Sequence, residues 1–417
     1  MNRSTTALLS CLLTFWLASP AAAARPVDER TLFTRVTDAW AFGTVRLQKP
    51  FEYRDGKLLA FAGTVGQVLH SSAPNARNLV LVWDVAKEGR ALEHGDSFLA
   101  PVELLPPYAY WRDNLPPTRR HGVSGGVRYV FVGDEEVEVR RALAPYISSL
   151  TAKAPGRWSQ EVVGISSALA STNDVVRADA ARHMGDYGRL THYFSDEAAA
   201  HWRTFLKSDA PAEQKAFLAG AAGRYEFSSL TGALEALASA DEAEATVAAL
   251  GSLNALGVER TREQLDELAQ SKSEVVRAWA WGQIAAGSGG NVENFAAVSE
   301  RLASDPSVVT QDAILGGFGA GKVTEAGGVL AEALGADDPI GPTAAAALAA
   351  LDASDSLGNA LKKGQLPEAL NAVTGLALIP DCQPCAALLA EQAQSHAVAE
   401  VRERIAEVLD SKATRTP

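Results

Sequence analysis

One segment of this chain recurs one hundred residues later, and this internal repeat constrains the fold more than any other feature. Residues 171–180 are STNDVVRADA, and residues 271–280 are SKSEVVRAWA. The offset of 100 residues corresponds to about three units of 33. Further copies lie at 209–216, 241–248, 305–313, 338–346, 366–373 and 399–405. A repeat of this length predicts stacked helix pairs, an α-solenoid, over residues 157–412.

The repeated unit has the chemistry of a helix start. Asp, Asn or Ser before the Val-Val pair can accept hydrogen bonds from the free N–H groups of the next helix. Pro211, Pro306 and Pro339 are expected in first helical turns, where proline's missing N–H has no partner to lose. The valines and the alanines after them are expected to face the neighbouring repeat, because a helix pair buries its apolar face by stacking.

The D/E-x-V-R-x-x-A core at residues 174–180 and 274–280 resembles HEAT-type repeats of the short bacterial kind that also occurs in phycobilin lyases. The resemblance covers residues 157–412 and implies an all-α array. It names no partner, because such arrays bind many unrelated molecules. Lyase activity is not carried over, since no pigment-binding feature can be placed in this chain.

Residues 35–133 have a different residue pattern from the helical repeats. Runs of β-branched and aromatic residues are divided there by Gly, Pro, Asn and Asp. The candidate strands are residues 40–47, 58–69, 79–85, 97–104 and 127–132. Asp55-Gly56 and Gly95-Asp96 are turn signals, and residues 105–126 are expected to form a long loop. About five strands over this length predict a small barrel or sandwich.

The order of these runs resembles secreted OB-fold modules of the netrin/TIMP-like kind. The similarity rests on GTVGQV at residues 63–68, a following strand, the Gly95-Asp96 turn and GVRYVF at residues 126–131. It implies an OB-like barrel. Those modules often carry cysteines, whereas this region has none.

The N-terminal segment, residues 1–24, predicts an export signal. A basic start at Arg3 precedes a mostly apolar stretch over residues 7–18, and small residues offer a cleavage site near Ala24. A lipoprotein anchored at Cys11 is the alternative, although apolar residues continue beyond that cysteine. The mature chain is therefore expected in the periplasm or outside the cell, without a transmembrane segment.

The balance of charge indicates which partners are unsuitable. The chain has 417 residues and a formal charge of −12. Nucleic acid and anionic membrane surfaces need patches of Lys and Arg. The longest basic cluster is Arg119-Arg120-His121, so a protein or another component of the cell envelope is the expected partner.

Cys382-Gln383-Pro384-Cys385 is the most chemically specific motif. Once Cys11 leaves with the signal, these are the two cysteines of the mature chain. In an oxidising compartment they can close a small disulfide, which is the main prediction. Thiol exchange is an alternative, because a C-x-x-C pair at a helix start is also a redox arrangement, although no βαβ pattern surrounds it. Half of a metal site is a third possibility, since structural zinc needs four ligands.

Two glycine-rich motifs do not predict catalysis. Residues 122–126 match G-x-S-x-G, but a nucleophile elbow needs a strand before the serine and a helix after it. Residues 316–323 nearly match a P-loop, but Val323 replaces the hydroxyl residue and a helix precedes it, so an inter-helix turn is expected. The seven histidines show no ligand spacing. No metal and no cofactor are predicted.

Aromatic residues supply the candidate partner-binding positions. Tyr108, Tyr110, Trp111 and Arg112 lie in a proline-rich segment, where they either contact a partner or fold back into a small core. Trp279 and Trp281 lie two apart on one repeat helix and cannot share a face, so one is expected to be core and the other a candidate contact.

These observations predict a signal peptide (1–24), an OB-like β-domain (25–134), a connecting helix (135–156), a HEAT-like array (157–412) and a disordered tail (413–417). The predicted function is an exported, non-enzymatic scaffold that binds protein through the solenoid and a β-domain loop. The alternatives are a thiol-active envelope protein and an enzyme with its site in the β-domain loops.

Overall fold

A computed structural model describes residues 30–53, 58–73, 77–105, 120–153, 156–186 and 190–413. The described residues fall into two compact units, the first ending at Leu256 and the second beginning at Gly257. The first unit contains a β-barrel and several helix pairs, and the second is wholly helical in its described part. No helix in the described ranges is long and apolar enough to cross a membrane.

Five strands close a barrel in the first unit. They are β1 (Ala41–Tyr53), β2 (Leu58–His70), β3 (Asn78–Asp84), β4 (Ser97–Leu104) and β5 (His121–Val123). Their hydrogen-bonded order is β1-β2-β3-β5-β4, β4 closes onto β1, and β3 runs parallel to β5. Alternate residues such as Val45, Phe61, Leu81 and Phe98 fill the interior. The small β-barrel predicted from the sequence is confirmed.

The last predicted strand is wrong. The sequence placed it at residues 127–132 and placed a loop over residues 105–126, whereas β5 lies inside that segment. Gly125 and Gly126 have φ values of 81° and 70°, a region that favours glycine, and they lead the chain into a 3-10 turn. The turn predicted at Gly95-Asp96 is present, and Asp55-Gly56 lies outside the described residues.

Helices form the rest of both units. In the first unit they are α1 (Leu32–Asp38), α2 (Val85–Glu88), α3 (Asp134–Leu150), α4 (Arg157–Ser167), α5 (Asp174–Asp186), α6 (Leu190–Tyr193), α7 (Asp196–Leu206), α8 (Ala212–Arg224), α9 (Thr231–Ala238) and α10 (Ala243–Ala255). In the second they are α11 (Arg262–Leu268), α12 (Glu274–Ala286), α13 (Val292–Ser304), α14 (Val308–Ala320), α15 (Gly327–Ala333), α16 (Ile340–Ala350), α17 (Ser354–Lys363), α18 (Leu366–Leu378), α19 (Gln383–Ser395) and α20 (Ala399–Ala413).

The second helix of each pair packs directly on the second helix of the next pair. These stacking helices run α5-α8-α10 in the first unit and α12-α14-α16-α18-α20 in the second. In the second unit, one buried apolar cluster continues from Ile284 to Ile405. Stacking of this kind is the solenoid architecture that the repeat predicted. A β-domain followed by a solenoid-like helical region is therefore confirmed.

Small residues let the stacking helices approach one another. A Cβ atom on Gly319 of α14 would lie 2.7 Å from the Cα atom of Ala347 on α16. A Cβ atom on Gly223 of α8 would lie 2.7 Å from the Cα atom of Ser252 on α10. No side chain fits at these crossings, which explains why the array is rich in Ala and Gly.

Polar side chains cap α5, α12 and α14 as predicted, whereas α8, α10, α16 and α18 have no side-chain cap. Asn173 Oδ1 accepts a hydrogen bond from Val176 N at 3.0 Å, and Ser307 Oγ accepts one from Thr310 N at 3.1 Å. The prolines lie earlier than expected: Pro211 and Pro339 are N-cap residues, and Pro306 precedes the N-cap Ser307. The step from the N-cap Ser273 to the N-cap Ser307 is one position longer than the predicted step.

Candidate functional site

Apolar residues in the first turns of the stacking helices are open to solvent in the second unit. Val275 of α12, Val308 of α14 and Leu366 of α18 are 39%, 49% and 39% exposed. Ile340, the first residue of α16, is half-buried. We call these four residues the first-turn edge. Val308, Ile340 and Leu366 directly follow their N-caps, and Val275 lies one position further into its helix. Exposed apolar residues that recur in the first turns of successive repeats are typical of an interaction surface.

Two of these first turns are joined side by side. Ser307 Oγ donates a hydrogen bond to Glu274 Oε1 at 2.5 Å. Ser307 caps α14 directly before Val308, and Glu274 opens α12 directly before Val275. The two valines therefore flank one side-chain bridge between neighbouring helices, which fixes their spacing.

The acidity of the chain is concentrated in the second unit. Residues 257–417 carry 22 Asp and Glu against 12 Lys and Arg, a formal charge of −10 out of −12 for the whole chain. Residues 302–361 contain eight acidic residues and one basic residue, Lys322. A field of this sign attracts basic partners and repels polyanions.

One acidic side chain of this unit is buried between two stacking helices. Asp312 of α14 is 5% exposed and hydrogen-bonds to Thr343 of α16. Burial raises the pKa of Asp312 to about 7, and the negative charge of Asp338 acts in the same direction, while the Thr343 hydrogen bond opposes both. Asp312 therefore changes its charge near neutral pH.

The two tryptophans of α12 lie inside the unit to different degrees. Trp279 is 6% exposed, whereas Trp281 is half-buried and packs on the edge of the apolar cluster. The Arg301 guanidinium lies 5.5 Å from the Trp281 ring centre and also pairs with the Asp305 carboxylate at 2.5 Å. Trp281 is thus the more accessible of the two, and its role in binding stays a prediction.

The aromatic segment of the β-domain belongs to the connection between β4 and β5. Tyr108, Tyr110, Trp111 and Arg112 lie outside the described residues. The connection leaves the barrel after Leu104, which is exposed, and rejoins it at the buried His121. The sequence thus assigns these four residues to one inter-strand connection, and their part in binding stays a prediction.

A buried polar network joins the barrel to the first repeat. Asp179 of α5 is buried and accepts hydrogen bonds from Leu32 N at 2.7 Å, Arg128 Nη2 at 2.6 Å and Tyr129 Oη at 2.8 Å. The Asp179 carboxylate on a repeat helix therefore fixes the positions of α1 and of the 3-10 turn that follows β5. The sequence did not identify this site.

Tyr129, which belongs to the network, and His183, which lies beside it, are both held neutral near pH 7. Burial, reinforced by the Asp179 carboxylate, raises the pKa of Tyr129 to about 12. Burial lowers the pKa of His183 to about 4, and its Nδ1 lies 2.7 Å from Thr31 Oγ1. Neither pKa suits proton transfer near pH 7, so the network is better fitted to joining the elements than to acid–base chemistry.

Neither glycine-rich motif forms a catalytic site. Ser124 of G-x-S-x-G is buried, accepts a hydrogen bond from Arg35 Nη1 at 2.9 Å and donates one to Glu103 Oε2 at 3.0 Å. Most of the P-loop-like segment lies in α14 itself, so it offers no phosphate cradle. Within the described ranges, no three His, Cys, Asp or Glu side chains are grouped to hold a metal ion.

The predicted disulfide is present. Cys382 and Cys385 are bonded across the start of α19, with their Cα atoms 5.2 Å apart. Cys382 is the N-cap of this helix, and its Sγ accepts a hydrogen bond from Cys385 N at 3.1 Å. The pair thus lies at a helix N-terminus, as the motif indicated.

The chain matches no family model and no curated protein. Among solved structures it is similar to human deoxyhypusine hydroxylase, determined in complex with glycerol, at a TM-score of 0.27 and 19% identity. The match covers 62% of this chain and 97% of that chain. A likeness this distant transfers no substrate, cofactor or site.

The match does overturn one expectation. The sequence predicted that the chain is not an enzyme, whereas the matched solved structure is that of an enzyme. The prediction was wrong because it inferred the absence of catalysis from helical repeats, and a fold does not fix function.

Proposed function

We propose that this chain is an exported binding protein that holds a protein partner or a component of the cell envelope against the first-turn edge. The observation that carries this proposal is the exposure of Val275 and Val308 on two neighbouring helices joined through Ser307 and Glu274. A partner that covers both valines gains the free energy of burying apolar surface on a support that is already ordered.

The charge of the second unit supports a partner with basic residues around an apolar centre. Six acidic side chains of residues 302–361 are exposed: Glu325, Glu332, Asp337, Asp338, Asp352 and Asp355. Among the described residues, none of them lies in an ion pair with Lys or Arg. Complementary charge speeds association and excludes acidic competitors, so the partner is a protein rather than a nucleic acid.

The barrel supplies a second contact in this proposal. Its strand order and its parallel β3–β5 pairing support an OB-like domain, a fold whose inter-strand loops commonly bind ligands. Tyr108, Tyr110, Trp111 and Arg112 lie in the sequence between β4 and β5 and have the composition of a binding anchor. We assign the array to the HEAT type on its recurring step and on the equivalent serine caps of α12 and α14.

Location follows from the N-terminal segment 1–24 in this proposal. The basic start, the short apolar stretch and the small residues before Ala24 support export with cleavage, and Cys11 supports lipidation as the alternative. The partner is therefore sought in the envelope fraction of the native cell.

The test compares three forms of the mature chain immobilised on a resin and exposed to that fraction. The double variant Val275→Glu/Val308→Glu places charges on the edge. The control, Val292→Glu, changes the first residue of α13, which is 82% exposed and belongs to the other helix layer.

We expect the same proteins on the wild-type and Val292→Glu resins and a loss of them on the double variant. Circular dichroism checks that all three forms fold. Equal recovery on all three resins would contradict a role for the first-turn edge.

A further inference from the structure

The Cys382–Cys385 disulfide differs from a buried cross-link in its setting. It joins residues three apart within one helical turn, so it does not link one helix to another. A loop this short constrains the unfolded chain less than a long one does. The neighbouring Asp381, Gln383 and Pro384 are all exposed. The bond therefore lies at the surface of the second unit and contributes less to stability than a long-range cross-link.

The two sulfur-bearing residues are unequally accessible. Cys385 is 3% exposed and belongs to the buried apolar cluster with Leu389 and Val401. Cys382 is half-buried at the edge of this cluster. An external thiolate can therefore approach Cys382 Sγ, whereas the packing around Cys385 blocks approach to the second sulfur.

The local structure also favours a free thiolate on Cys382. Its Sγ accepts the Cys385 N–H at 3.1 Å, in the position of an N-cap side chain. The unpaired N–H groups at the start of the 13-residue α19 carry partial positive charge, which stabilises an anion there. Reduction would leave this cap in place, so both oxidation states fit the same helix start.

We propose that Cys382 and Cys385 form a thiol–disulfide exchange site for dithiols, with Cys382 as the sulfur that is attacked. A thiolate of the dithiol bonds to Cys382 Sγ, the Cys382–Cys385 bond breaks, and Cys385 leaves as a thiolate that takes up a proton. The second thiolate of the dithiol then attacks the dithiol sulfur of the mixed disulfide. The dithiol closes its own disulfide, and Cys382 is released as a thiolate. The dithiol loses two electrons, and the cysteine pair gains them.

The reverse direction uses the same atoms. With the pair reduced, the Cys382 thiolate attacks an external disulfide, and Cys385 resolves the mixed disulfide to restore the bond. This site is independent of the first-turn edge, because Cys382 caps α19 and none of the four edge residues lies on that helix. Either proposal can fail without the other.

The experiment uses the full mature chain, reduced with dithiothreitol under native conditions. Iodoacetamide labelling followed by peptide mass spectrometry gives the alkylation rate of each cysteine, and the same measurement in urea is the control. We expect Cys382 to react at least roughly tenfold faster than Cys385 in the folded chain and at a similar rate in urea.

Two single variants test the chemistry against glutathione disulfide. Cys385→Ser should accumulate a mixed disulfide with glutathione on Cys382, because the resolving thiol is gone. Cys382→Ser should accumulate little, since Cys385 is buried. Circular dichroism confirms that both variants fold. A native disulfide that resists dithiothreitol, equal alkylation of both cysteines, or equal glutathione adducts in the two variants would overturn the proposal.

Discussion

Arg277 of α12 donates a hydrogen bond from Nη1 to the carbonyl oxygen of Ser271, six residues earlier, at 2.9 Å. Gln311 of α14 makes the equivalent bond to the carbonyl oxygen of Asp305 at 2.7 Å. The side chain of Ser271 makes a further hydrogen bond within this turn, because its Oγ accepts one from Ser273 N at 3.2 Å. The polar side chains of Arg277 and Gln311 therefore close the turns that precede their stacking helices.

Replacement of Arg277 tests this turn. Arg277→Ala should lower the free energy of unfolding of the second unit by about 1–2 kcal/mol, because the Ser271 and Lys272 carbonyls lose a charged donor. Arg277→Gln should retain most of the stability, as Gln311 makes the same bond in the next repeat. Urea unfolding followed by hydrogen exchange of α12 measures both, and equal losses would contradict the assigned bond.

Asp312 should make the second unit less stable as pH rises. Its pKa of about 7 when folded exceeds the ordinary value of 3.8, so between these values the folded chain holds a proton that the unfolded chain has lost. Stability from this group is complete below pH 4 and falls until pH passes 7. Relative to Asp312→Asn, which cannot ionise, the wild type should be less stable at pH 8 than at pH 4 by about 4 kcal/mol.

The measurement is urea unfolding of both forms from pH 4 to pH 8, with hydrogen exchange of α14 and α16 as the local probe. Subtraction of the two curves removes the contributions of other carboxylates. A difference that stays constant with pH would show that Asp312 does not titrate in this range.

His183 should have the opposite effect on the first unit. Its folded pKa of about 4 lies below the ordinary 6.5, so the unfolded chain takes up a proton first as pH falls. Stability from this group is complete above pH 6.5 and falls toward pH 4. The wild type should therefore lose up to about 3 kcal/mol relative to His183→Gln across this window, measured by hydrogen exchange of α5. Parallel pH curves would refute this assignment.

Asp179 should be the most sensitive carboxylate of the first unit. Asp179→Ala removes the acceptor of three hydrogen bonds and should cost about 3 kcal/mol or more, while Tyr129→Phe removes one and should cost about 1 kcal/mol. Asp174→Ala is the matched control on the same helix, because the Asp174 side chain is 83% exposed. Its cost should stay within about 1 kcal/mol. The three are compared by urea unfolding, and similar losses for Asp179→Ala and Asp174→Ala would argue against the network.

The helical array could be predicted because its signals are local. Capping residues, paired valines and small residues recur in several repeats, and each predicts a helix start or a close helix contact from a few neighbouring residues alone. The register was less accurate: the predicted step pairs Arg277 with Thr310, whereas its structural equivalent is Gln311, one position further on. The strand β5 was missed because a strand of only His121–Val123 is too short to show alternation.

The buried carboxylates depend on contacts that no local pattern contains. Asp179 occupies the position of Trp279 one hundred residues later, and both side chains are buried. Asp312 occupies the position of Ala278 when the N-caps Ser307 and Ser273 are aligned. A charged residue in a core position of one repeat was therefore a visible signal. Its partners were not, because Leu32, Arg128 and Tyr129 lie far from Asp179 in the sequence.

Site-specific photocrosslinking tests the proposed binding surface most directly. A photoreactive amino acid replaces Val308 in one form of the mature chain and Val292 in another, and each is irradiated with the native envelope fraction. We expect position 308 to crosslink one partner protein that position 292 does not capture, and excess unlabelled wild-type chain should compete for it. Equal crosslinking from both positions, or none from position 308, would contradict the proposal.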